Sequence, residues 1–368
     1  MFPYLFLLIS LTFINSMMVP LPVSNYPKTP VYNGHFADPF AWEYNGSYYM
    51  IGTGSDQGQF FPTLISNDAE HWQFYGYVMI PRTNTNLTDY WAPEVAVHEN
   101  LFYLYYSGGI GDKLHRLRVA TSTNPLGPYR DDGAQDLTDI TKLQFAIDPH
   151  AFRDVDGKWY LFYSRDFLDT NDGYRVGTGI VIDILENMTK LGGNERVVLR
   201  AKHDWQRFAK DRYMPQYNGT WDWYTLEGAA TWMQDGRYYC FYSGGRWEDE
   251  TYGVDYGVSS NVLGPYVEDS DTQARITHSI NGIIIGPGHN SIILGPDQYT
   301  RIVYHALNND RTMRSPYISQ LDWSQVSPSS SPTTTTSSVN DLHHEQGLIR
   351  VVIYFLVYMF SYSWFFIM

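Results

Sequence analysis

Cysteine is all but missing from this sequence of 368 residues. Cys240 stands alone in "RYYCFYS", which excludes an intrachain disulfide framework and reads as a buried strand thiol. Positive charge is also short: 25 Lys and Arg face 39 Asp and Glu, a formal net charge of −14. Phosphate recognition needs basic patches, so nucleic acid is excluded as a partner. No amphipathic helical pattern of useful length interrupts residues 30–323. Long apolar runs occur only at the ends. "MFPYLFLLISLTFINS" has the length of a secretory signal segment, expected over 1–18 with cleavage near Ser16, although the usual basic start is missing. A Ser/Thr/Pro-rich linker is expected over 324–347. An apolar tail, long enough to span a bilayer, is expected over 348–368, with Arg350 its only charge. A polar spacer precedes it, as in tails removed for a glycolipid anchor. Anchor signal, membrane span and mispredicted exon all stay open.

Aromatic residues are what the chain has in quantity: 17%, including 31 Tyr and 11 Trp. Pleated strands accommodate rings well. The rings fall into five similar lines: "EYNGSYYMIGTGS" (43–55), "HENLFYLYYSGG" (98–109), "DVDGKWYLFYSRD" (154–166), "MQDGRYYCFYSGG" (233–245) and "GPDQYTRIVYHAL" (295–307). Each has a turn pair or a looser equivalent, then alternation of aromatic and small residues, the signature of a β-hairpin. A second element recurs downstream of three of them: "TLISNDAEHWQFYG" (63–76), "RVATSTNPLGPYRD" (118–131) and "YGVSSNVLGPYVED" (256–269). About four strands per repeat, repeated five times, predict an all-β fold, a five-bladed β-propeller over 30–323. A sandwich has no reason to repeat in this way.

The turns fall near Gly46, Asn100, Gly157, Gly236 and Asp297, and 8 or 9 residues upstream of them stand Asp38, Trp91, Asp148, Glu227 and His289. In a propeller that place begins the innermost strand, so three carboxylates, an imidazole and an indole converge on one mouth of the axis. One Asp-Pro before a strand is commonly a turn former, but three acids at equivalent places crowd like charges at a cost that chemistry explains better than structure does. Two carboxyl groups facing across a sugar ring suit glycoside hydrolysis, one giving a proton and the other activating water. A non-catalytic carbohydrate-binding propeller is the alternative, and it has no use for all three acids.

At "ADPF", "WAPEV", "ATSTNPLGPY", "IDPHAF", "LEGAATW", "SSNVLGPY" and "GPGHNSI" the sequence resembles glycoside hydrolase family 43, over about 30–323. That family of arabinanases, α-L-arabinofuranosidases and β-xylosidases is built on a five-bladed propeller and hydrolyses with inversion. The resemblance implies that Asp38 is the general base, Glu227 the general acid, and Asp148 the residue that raises and orients that acid. It implies that His289 helps hold one calcium ion through water; an imidazole merely hydrogen-bonded in the channel is the other reading. No organic cofactor is implied. Trp91 and Trp223 are candidates for stacking on sugar rings, against packing between blades. Arg311 and Arg314, in "NNDRTMR", are candidates for reaching the substrate, against a solvated surface role. Glu94 stands where many relatives have Asp. An insertion over 203–224 leads into Glu227 and is expected to arch over the channel mouth. Arabinose and xylose, and endo and exo action, stay open. A related retaining glycosidase of fructans fits the spacing less well. The sequons at Asn45, Asn86, Asn187 and Asn218 favour a secreted or cell-surface protein. A saccharide is the expected partner of a monomeric chain, with membrane attachment through the tail.

Overall fold

The computed structural model describes residues 17–326, except 84, 170, 270 and 271. Residues 1–16 of the signal segment expected over 1–18, and nearly all of the expected linker and tail, lie outside the described residues, while Met17 and Met18 are in the strand Met17–Pro20. Helical content among the described residues is confined to two short 3-10 turns, Asp131–Gly133 and Asp204–Gln206.

Five sheets follow one another along the chain. Their first strands are Ala37–Tyr44, Asp89–His98, Ala146–Arg153, Leu226–Gln234 and Ile285–Leu294. Each of these strands packs against the next, and the fifth packs against the first. The ring therefore closes around an axis, as in a five-bladed propeller. The hairpins that follow turn where the aromatic lines put them. Asn45-Gly46, Glu99-Asn100 and Asp235-Gly236 all have positive φ, the two-residue turn whose twist matches that of the flanking strands.

The aromatic surplus goes into the interfaces between blades. Trp42, Phe61 and Tyr106 pack between the first and second blades, and Tyr105, Leu161 and Tyr163 between the second and third. Phe162, Leu226 and Tyr242 fill the next interface, Phe241, Ile302 and Tyr304 the one after. Met50, Leu64 and Val303 close the ring between the fifth blade and the first. The fold reaches beyond the expected 30–323. Met17–Pro20 pairs antiparallel with Trp323–Val326, and Val23, Leu321 and Trp323 pack against the interface of the fourth and fifth blades.

One irregularity recurs in every blade. The register of each first strand jumps between Ala37 and Phe40, Trp91 and Glu94, Ile147 and His150, Glu227 and Ala230, and Gly288 and Ser291. The pairs skipped are Asp38-Pro39, Ala92-Pro93, Asp148-Pro149, Gly228-Ala229 and His289-Asn290. The first residue of each is left-handed, with φ of 50°, 46°, 57°, 60° and 49°. A proline, which cannot donate to a ladder, is tolerated in such a bulge. That is why Asp-Pro recurs. The bulges also correct the expected alignment: the equivalents of Asp38, Asp148 and His289 are Ala92 and Gly228, with Trp91 and Glu227 one residue earlier.

Candidate active site

The left-handed turn takes an N–H out of each ladder, and a side chain of the preceding blade receives it. Thr53 Oγ1 accepts from Ala92 at 2.7 Å, Ser107 Oγ from Asp148 at 3.1 Å and Ser243 Oγ from His289 at 2.7 Å. His305 Nδ1 accepts from Asp38 at 3.0 Å and closes the ring. The fifth equivalent is Ser164, opposite Ile147. There the Gly228 N–H donates instead to Asp148 Oδ2 at 3.0 Å, and Ser164 Oγ is left without a partner. Asp148 has taken over the place of a serine, which fixes its carboxylate beside the strand that carries Glu227.

Asp38 is 8% exposed. Arg314 Nη1 donates to its Oδ1 at 3.0 Å, and the Nδ1 atoms of His289 and His305 lie 3.4 Å from the same oxygen. Burial alone raises the Asp38 pKa, but Arg314, His289, His305 and the Thr53 hydroxyl together hold it far below the usual carboxylate range. Burial lowers the pKa of both imidazoles, that of His305 the more, and His305 Nδ1 already accepts a backbone N–H. The lasting counter-charge is therefore Arg314, whose guanidinium also stacks 4.3 Å over Trp247.

Glu227 and Asp148 behave in the opposite way. Burial pushes Glu227 up to about 7, the Asp38 charge adds to this, and Tyr252, Arg314 and Arg212 oppose it. Tyr252 donates to Glu227 Oε1 at 2.7 Å from a fully packed ring that stacks on His305. Gly288 carries no side chain because a Cβ there would lie 2.1 Å from that ring. Burial, and then the charges of Glu227 and Asp38, push Asp148 well above its ordinary value, against the Gly228 N–H. The pair Asp148 and Glu227 thus retains a proton at a pH where Asp38 is ionised, an acid and a base set apart by environment. A cavity of about 250 Å³ opens beside Glu227, bordered by Trp91, Asp166, Phe208, Arg212, Trp223 and Trp247.

A family model described as Glycosyl hydrolases family 43 matches residues 27–326. This chain belongs to glycosyl hydrolase family 43 and is a glycoside hydrolase. A β-D-galactofuranosidase of Aspergillus niger is 27% identical over 310 residues, covering 80% of each chain. An extracellular endo-α-(1→5)-L-arabinanase of Bacillus subtilis is 25% identical over 313 residues, covering 79% of this chain and 86% of that one. Among solved structures, a thermostable family-43 glycoside hydrolase superposes with a TM-score of 0.66 at 23% identity, over 86% of this chain and 100% of that one.

Within this family 43 chain the expected site residues divide. Asp38, Asp148 and His289 point to the axis from equivalent bulges, and Glu227 joins them from the neighbouring level. Trp91 borders the cavity, with its ring stacked on His115 at 3.7 Å. Trp223 is only 2% exposed, so it forms wall rather than a platform for a sugar. Arg311 does not reach the site: it pairs with Glu250 at 2.7 Å, beside a different depression. Arg314 reaches the Asp38 carboxylate itself. Glu94 accepts from His150 Nδ1 at 2.8 Å, while His150 Nε2 accepts from the Thr231 N–H at 2.9 Å. It is committed to holding neighbouring blades together. The insertion forms a hairpin, Arg207–Met214 and Gly219–Tyr224, added to the third blade through Gly177 and Tyr224. Phe208, Arg212 and Trp223 come from it and border the cavity.

Tyr252, His305 and the residues that receive the bulge N–H groups were not anticipated. For all but Tyr252 the signal lies in the same aromatic lines, where "GTG", "YSG", "YSR", "YSG" and "YHA" stand at one equivalent position toward the end of each second strand. As for a metal, calcium takes about six to eight oxygens. His289 offers one imidazole turned toward Asp38, and Asn290 beside it an amide without partners. Among the described residues no group of three or more His, Cys, Asp or Glu is arranged around an ion. These residues do not by themselves make a calcium site.

Proposed function

We propose that this chain hydrolyses glycosidic bonds of arabinose- or xylose-containing saccharides with inversion, and that furanosides are its preferred substrates. The observation that carries the reaction is the opposite protonation of Asp38 and Glu227 in one mouth. Asp38, ionised by Arg314, takes a proton from water as that water attacks the anomeric carbon. Glu227, protonated up to about neutral pH, gives its proton to the departing oxygen. Asp148, itself held well above its ordinary value by burial and by the Glu227 charge, shares in retaining that proton and, through the Gly228 N–H, fixes the geometry of the strand. The preference for furanosides draws on the relatives, one named a galactofuranosidase and one an arabinanase.

A panel of nitrophenyl α-L-arabinofuranoside, β-D-galactofuranoside and β-D-xyloside, with linear arabinan and xylan, tests the substrate class. Faster turnover of a furanoside than of the xyloside is expected; the reverse order removes the furanoside preference. Proton NMR of the first sugar released reads the stereochemistry. The anomer opposite to the substrate's is expected, and a product of retained configuration ends the inverting assignment.

Secretion is part of the same reading. It is supported by the apolar leader, by the extracellular relative, and by the exposure of Asn45, Asn86, Asn187 and Asn218. Enzymatic removal of N-glycans is expected to increase the mobility of the protein recovered from the medium. Recovery only from inside cells, without a mobility change, contradicts it.

A further inference from the structure

The cavity beside Glu227 contains polar groups that the acid and base do not use. Asp166, in the strand Trp159–Phe167, is 7% exposed. Tyr217, from the turn of the inserted hairpin, donates to its Oδ2 at 2.8 Å, while among the described residues Oδ1 has no partner. A buried carboxyl oxygen without a donor is costly, and a fold that retains one has a use for it. Burial raises its pKa to about 7, against the pull of Tyr217, Arg212 and Arg165.

Arg212, on the inserted hairpin, is the complementary group. Its guanidinium carbon lies 4.6 Å from the Phe208 ring centroid and 5.7 Å from that of Trp223. Stacking of this kind fixes the plane of the guanidinium and leaves its N–H groups free to donate in that plane. Among the described residues it makes no hydrogen bond, and its one ion pair, with Asp112, spans 4.0 Å. Arg212 and Asp166 border the same cavity as Glu227 and are close enough to act on each other's charge. One group has donors to give and the other an acceptor to fill.

Adjacent hydroxyls complete such a set, one donating to the carboxyl and its neighbour accepting from the guanidinium. An acidic sugar suits the cavity less, because its carboxylate would face Asp112, Asp166, Glu227 and Glu248, which all border it. We propose that Asp166 and Arg212 form a specificity subsite that reads two neighbouring hydroxyls of a neutral sugar ring held beside Glu227. Phe208 and Trp223 hold Arg212 in position, and Tyr217 orients Asp166. The subsite rests on the hydrolase reading, and the inserted hairpin supplies four of its five parts, all but Asp166.

The test measures both turnover and binding. Arg212→Ala, Asp166→Ala and Asp166→Asn are compared with the unchanged protein for kcat and KM on the nitrophenyl glycosides. Binding of free arabinose, galactose and xylose is titrated in parallel by NMR. Charge-assisted hydrogen bonds of this kind correspond to a rise of roughly ten- to a hundred-fold in KM and in the sugar's dissociation constant, with a smaller change in kcat. Singly deoxygenated glycosides provide the decisive arm. For the analogue that lacks the hydroxyl being read, the variants are expected to be no worse than the unchanged protein. Asp166→Asn keeps the side chain's shape and serves if Asp166→Ala does not fold. Unchanged KM and binding in folded variants overturn the subsite, as does an equal loss on every analogue. If no glycoside is turned over, the hydrolase reading fails. The binding arm then still judges the pair, and a protein that binds none of the sugars removes it too.

Discussion

Glu227→Gln is expected to slow cleavage of an unactivated linkage by about a hundred- to ten-thousand-fold, the range that proton transfer by a placed side chain supplies. A dinitrophenyl glycoside should lose far less, because its leaving oxygen departs without a proton. Gln suits the test because its amide oxygen can still accept the Tyr252 hydroxyl that reaches Glu227 Oε1 at 2.7 Å. The site should keep its shape and lose only the acid. The pH profile separates the two roles further. Burial holds the Glu227 pKa at about 7, so the unchanged protein should lose activity as pH rises through about 7. The variant, assayed on the activated substrate, should lose that alkaline limb. Equal losses on activated and unactivated substrates, with the limb still present, would remove Glu227 as the acid and turn attention to Asp148.

The blades were legible because each hairpin writes its own line of alternating rings and a turn pair. The site was legible to within one residue. Counting back from the turns brought Asp38, Asp148 and His289 to the same level correctly but put Trp91 and Glu227 beside them. The cause is the bulge, where two residues face one across the ladder, so spacing alone does not say which of the two turns left-handed. Measured to Ala92 and Gly228 the spacing becomes 8 in four blades and 9 in the third. The offset has chemical meaning. It puts Glu227 one step from the level of the two aspartates, on a strand whose next N–H is held by one of them. Arg311 and Arg314 could not be ranked from sequence, since three residues along a loop and strand start point in unrelated directions. Asp166 and Arg212 were beyond reach for a different reason. Asp166 ends one of the repeated lines but has no acid at its equivalent in the other four, and the hairpin that brings Arg212 to the same cavity belongs to no other blade.

Arg314→Met is expected to damage the site through Asp38 rather than through the substrate. In the folded protein the Asp38 pKa is depressed, so its pairing contributes stability above the ordinary carboxylate range, lost as pH falls through the folded value. Without the guanidinium, burial becomes the dominant influence and pushes the Asp38 pKa upward. The acid limb of kcat/KM should therefore move to higher pH. At neutral pH the variant leaves a buried charge without its main partner, which costs up to about 3–5 kcal/mol, less here because the Arg314 side chain is 15% exposed. The sign of the pH dependence separates this from lost packing. Acidification protonates the orphaned Asp38, so the gap in Tm between variant and unchanged protein should narrow as pH falls from 7 toward 5. Lost packing of the Arg314 guanidinium on Trp247 would lower Tm by the same amount at every pH. Arg314→Lys supplies the control, since it returns the charge without the planar stack. It should recover most of the acid limb if charge is what Asp38 needs. An acid limb that stays in place in Arg314→Met would mean that the two imidazoles, His289 and His305, keep Asp38 ionised without help.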